Sequence, residues 1–62
     1  MTRSEISLIR SKADLFEKWA VEESKLARQC FNRVEADEHF VEAIKFSSSA
    51  SALRNILIEL GY

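Results

Sequence analysis

Proline is absent from this chain, glycine occurs once, at Gly61, and cysteine and histidine occur once each, as Cys30 and His39. Each scarcity removes a class of protein. A single cysteine forms no internal disulfide, and a single histidine leaves little from which to build a zinc site. Without a glycine before Gly61 there is no phosphate-cradling loop and no nucleophile elbow. No apolar run approaches the roughly 18 residues needed to cross a bilayer, and Met1 to Ile9 lacks the apolar segment and small-residue cleavage site of a secretory signal. A cytoplasmic, reducing location is the expectation, and it suits an unpaired thiol. A dominant charge is missing as well: nine Lys and Arg stand against ten Asp and Glu, for a net charge of −1. That balance gives no general attraction to nucleic acid or to an acidic membrane.

What the chain does have is apolar surface, 47% of its 62 residues, which is enough to offset the entropy of ordering. It is expected to fold as one helical domain spanning residues 1–62. A domain of this size buries only about 60% of the surface exposed by its unfolded chain. With no disulfide or metal to help, oligomerisation is the expected supplement. The charge also divides along the chain: Met1 to Val34 carries seven basic and five acidic residues, Glu35 to Tyr62 two and five.

From Ile6 the apolar positions recur at spacings of three and four: Ile6, Ile9, Ala13, Phe16 and Ala20, then Ala27, Cys30 and Val34. This is the a/d pattern of an amphipathic helix, with one charge, Glu23, on the seam. Leu8 and Leu15 at c, and Trp19 and Leu26 at g, widen the apolar arc to roughly 160° by the 3.6-residue period. Thr2 and Glu5 have capping-box spacing and mark the helix start. Asn32 with Glu35, followed by Asp37 and Glu38, marks a second start after a bend. The serines at 47, 48, 49 and 51 compete for backbone hydrogen bonds and predict an interruption. Beyond it Leu53, Ile56, Leu57 and Leu60 form one stripe, and Gly61 is placed to end the helix in a left-handed conformation with Tyr62 folded back on Leu57. The expected fold is all-α: a long helix over about 4–32, short helices over about 35–46 and 50–60, and a bundle completed by oligomerisation, with a dimer favoured. The short helices cover one side of the long one and leave its c/g flank open. Ile6 to Leu26 is then the stretch for intersubunit contact, and Ala27 to Val34 the stretch that meets the short helices.

Little in this pattern carries catalysis. Cys30 at a d position reads as a small apolar filler, and the serines read as cap and turn residues without a general base. Glu35, His39 and Glu42 share a helix face, yet His39-x-x-Glu42 reverses the Glu-x-x-His order of carboxylate-bridged bundles; a solvated acidic face with a surface histidine is expected, with no metal or cofactor. The expected function is that of a small non-enzymatic interaction protein, an adaptor, inhibitor or regulator that docks on another protein. Chains of this kind are expected among small bacterial, plasmid or phage gene products. Its self-association or partner surface would comprise Leu8, Leu15, Phe16, Trp19, Glu23 and Leu26, because exposed aromatic and apolar patches mark interfaces. One alternative is a small RNA- or DNA-binding regulator using a basic stripe of Arg3, Arg10, Lys18, Lys25 and Arg28, interrupted by Asp14 and Glu17. Another is an oligomer that sequesters a small ligand, with Trp19 as a stacking surface.

The alternation of small and large residues along the long helix (Ala13, Phe16, Ala20), Cys30 at a core position and Ala36-Asp37-Glu38 near the bend resemble the plasmid RNA-binding Rop hairpins over about the first 40 residues. The resemblance is architectural and implies a helical hairpin with an uninterrupted second helix. The serine run departs from that pattern, and no position here matches an RNA contact.

Overall fold

Thr2 opens the first helix as its spacing with Glu5 predicts. The Thr2 hydroxyl accepts from the Glu5 backbone N–H at 3.2 Å, and the Glu5 carboxylate accepts from the Thr2 N–H at 3.2 Å. The Thr2 N–H, together with the Thr2 hydroxyl, which donates to the same carboxylate oxygen at 2.9 Å, holds the Glu5 carboxyl below the usual carboxylate range. In this computed structural model, which describes residues 1–62, α1 runs without a break from Arg3 to Gln29, through Glu23. The chain turns at Cys30–Asn32. Asn32 caps the next helix by accepting from the N–H groups of Val34 and Glu35, at 2.9 and 3.4 Å. The predicted bend is there, a few residues earlier than the expected end of the first helix.

The interruption at Ser47–Ser51 is not. A single helix, α2, runs from Arg33 to Glu59 where two short ones were expected. Serine costs only about 0.5 kcal/mol relative to alanine in a helix interior, and Ala50 and Ala52 lie within and beside the run with no glycine or proline near. Ser49 donates its hydroxyl to the carbonyl of Lys45 at 2.9 Å, so one serine competes for its backbone and the helix continues. Tertiary packing decides the matter: Ala50 is 2% exposed, pressed against α1. The C-terminal expectation holds in its backbone. Gly61 has φ 86°, Tyr62 N–H donates to Leu57 O at 2.8 Å and Gly61 N–H to Ile58 O at 3.0 Å, the bonds of a Schellman motif. The Tyr62 ring itself stays half exposed.

α1 and α2 pack antiparallel as a slab one helix thick, with Cα extents of 46 × 16 × 10 Å. Phe16 lies on Phe46 and Glu23 on His39, which sets the register. By that register Ile6 faces Leu57, Ala13 faces Ala50, Ala20 faces Ala43 and Ala27 faces Ala36. A seven-residue spacing thus runs unbroken along both helices, alanine in three of every four places. The buried set is Ile6, Ala13, Ala27, Ala43, Ala50 and Leu57, and no large side chain is fully buried. Because α2 accompanies α1 along its whole length, Ile6 to Leu26 meets α2 within the chain as well, and the expected division of α1 into an intersubunit half and an intrachain half does not hold. Neither helix is long and apolar enough to cross a membrane.

Close approach across alanine leaves no room for a larger side chain. Ala13→Leu, at a position 0% exposed, is expected to lower unfolding stability by about 1–3 kcal/mol through overpacking. Ala52→Leu on the exposed side of α2 should stay within about 0.5 kcal/mol. Denaturant melts of the two variants check this, and a neutral Ala13→Leu would show that the seam is not close-packed.

Candidate functional site

Residues at d, together with c and g of α1, emerge on one face of the slab. That face gathers all six residues of the expected interaction surface: Leu8, Leu15, Phe16, Trp19, Glu23 and Leu26. At its centre three rings make a cluster. Phe16 and Phe46 stack with centroids 6.1 Å apart, Trp19 meets Phe46 at 5.4 Å, and Phe16 and Trp19 meet edge to face at 5.7 Å. Such pairs add about 0.5–1.5 kcal/mol each beyond area burial. The cluster is only partly covered: Trp19 is 37% exposed, Leu26 44% and Leu8 59%. Phe46 is the member that the sequence reading placed only on a flank of a short helix. Its signal is that it lies seven residues from both His39 and Leu53, in the d phase of α2.

Beside the cluster, Glu23 finds its partner. His39 Nδ1 donates to Glu23 Oε2 at 2.5 Å across the two helices, with the side chains 33% and 25% exposed. The histidine is thus a seam residue and not part of a solvated acidic face. Its expected neighbours have other partners: Glu35 accepts from Cys30 Sγ at 3.6 Å and Glu42 from Lys45 Nζ at 3.5 Å. No cluster of three or more His, Cys, Asp or Glu is gathered anywhere. Partial burial, reinforced by the Glu35 carboxylate, pushes the Cys30 thiol up from its ordinary value, which keeps it protonated and a poor nucleophile.

The opposite face carries the b and e residues. Near the chain ends it is closed by Arg54, whose guanidinium donates to Glu17 and Asp14, both at 2.7 Å, and by Arg10, which donates to Tyr62 O at 3.2 Å. The Glu17 carboxyl lies below its usual range because of the Arg54 hydrogen bond. Of the basic stripe, Arg10 and the acids among it are thereby engaged within the hairpin, and Arg3 and Lys18 stand exposed with no ion pair. Lys25 and Arg28 come together near the turn, at the edge of a groove of about 490 Å³ between the helices.

The Glu23–His39 pair interrupts an otherwise apolar layer. Glu23→Leu leaves the imidazole without its acceptor and His39→Leu leaves a carboxylate half-buried, so each is expected to cost about 1–3 kcal/mol. The double replacement should cost less than the sum, since both polar groups then go together. A double-mutant cycle by chemical denaturation reads the coupling, and strict additivity would show that the two side chains do not depend on each other.

Set beside known proteins, the chain stands apart: no family model, no curated protein and no solved structure matches it.

Proposed function

We propose that this chain is a small non-enzymatic interaction protein that works as a homodimeric helical bundle and docks on another protein as an adaptor, inhibitor or regulator. The observation that carries this reading is the uncovered aromatic face: Phe16, Trp19 and Phe46 are preassembled and flanked by Leu8 and Leu26, with no element of the chain lying over them. A soluble monomer seldom leaves so continuous an apolar patch unpaired. Apart from Phe46 the patch lies on α1, whereas the matching flank of α2 presents Glu35, Glu42 and Ser49 before Ile56. A two-fold axis along this face sets one α1 flank against the other and buries both Trp19 rings. The same patch fits a self-complementary interface, in which the same surface is used twice.

Sedimentation at low micromolar concentration is expected to give twice the 7.1 kDa chain mass. Trp19→Ala should weaken self-association by about 30-fold, the loss of about 2 kcal/mol typical of an aromatic interface anchor. A cooperatively folded 7.1 kDa species, or a dimer indifferent to Trp19→Ala, would contradict the reading.

A further inference from the structure

The groove near the turn lies on the face opposite the aromatic cluster and remains free when that cluster is covered. Its floor is made of small residues, Ala20 and Ser24 from α1 and Ala43 and Ser47 from α2. Val21 forms one wall, and Phe40 and Ile44 the other, with Ile44 65% and Phe40 45% exposed. Lys25 and Arg28 stand on the Val21 side, and neither makes an ion pair. No carboxylate lines the groove. That is selective in a chain with more acids than bases, and on the same face the carboxylates of Asp14 and Glu17 are bound by Arg54.

Shape decides what such a groove receives. A small molecule is ordinarily enclosed over 70–90% of its surface, and this trough is open to solvent along one side. Small residues four apart on each helix leave the kind of channel that accepts the ridge of another helix. From Val21 to Arg28 it runs roughly 10 Å, about two helical turns.

We propose that this groove docks an amphipathic helix of a partner protein, whose apolar ridge seats between Val21 and Phe40–Ile44 and whose flanking carboxylates pair with Lys25 and Arg28. The proposal rests on the reading of the chain as an interaction protein and names the chemistry of its partner. An apolar ridge supplies burial, and the two free cations select the sign of charge beside it. A second copy of the chain, presenting the α1 side chains Trp19 and Glu22, is the competing occupant. That head-to-tail contact would build open-ended assemblies.

Two fluorescent peptides of about 14 residues test it, long enough to span the groove. They share one leucine ridge and differ only in carrying Glu or Lys beside it. Anisotropy titration of the full chain is expected to show binding of the Glu peptide at least tenfold tighter than the Lys peptide. A K25E/R28E variant, its helicity verified by circular dichroism, is expected to invert that preference, and Ile44→Ser to weaken both peptides. Equal affinities, no binding, or a preference unchanged in K25E/R28E would overturn the proposal. So would self-association into open-ended species that K25E/R28E dissolves, since the groove is then occupied by a second copy. Sedimentation of the same samples keeps the two claims apart. A dimer without peptide selectivity removes the groove proposal alone, and a monomer that still selects the Glu peptide removes the dimer alone.

Discussion

The approach of two helices across alanine governs this molecule. Ala13, Ala20 and Ala27 on α1 meet Ala50, Ala43 and Ala36 on α2, with Ile6 and Leu57 closing the open end. The side chains facing each other at these layers are single methyl groups, and the larger apolar side chains lie to one side or the other of the seam. Phe16, Phe46 and Trp19 go to one face and form the ring cluster. Val21, Phe40 and Ile44 go to the other and wall the groove. The seam therefore supplies good van der Waals contact but little buried apolar volume, and the surfaces outside it carry what the core does not.

Polar contacts add specificity to that seam. An alanine heptad alone tolerates a slip by a full repeat, because every layer looks like the next. Glu23 facing His39 within the d layer, and Arg54 reaching Asp14 and Glu17 across the opposite face, are satisfied in one register only. The Arg54 pairs are largely exposed and contribute little to stability individually. Their role lies in the penalty attached to the wrong alignment, as with polar residues placed in coiled-coil seams.

Much of this was legible beforehand, and the failures have a common physical origin. The start of α1, the Asn32 cap and the Gly61 terminus rest on local chemistry, which a sequence displays directly. All six residues of the expected surface share a face because they follow from the helical period of α1. The second helix was harder: its apolar residues are spread around the whole circumference, with Val34 and Val41 outward, so no single stripe stands out. Four serines then outweighed a spacing that was present throughout, Ala36, Ala43, Ala50 and Leu57. Local propensity costs tenths of a kcal/mol per residue, and packing of Ala50 against α1 overrides it. His39 was misplaced for the same reason, since its position facing Glu23 follows only once α2 is continuous.

A hairpin whose buried residues are four alanines, one isoleucine and one leucine has little apolar burial with which to oppose the conformational entropy of 62 ordered residues. In the dimer we propose, association through the aromatic face supplements that burial, so that folding and assembly would become one equilibrium. Thermal unfolding followed over a hundredfold range of protein concentration tests this most directly. The account predicts a Tm that rises steadily with concentration; a cooperative transition at the same temperature throughout would contradict it.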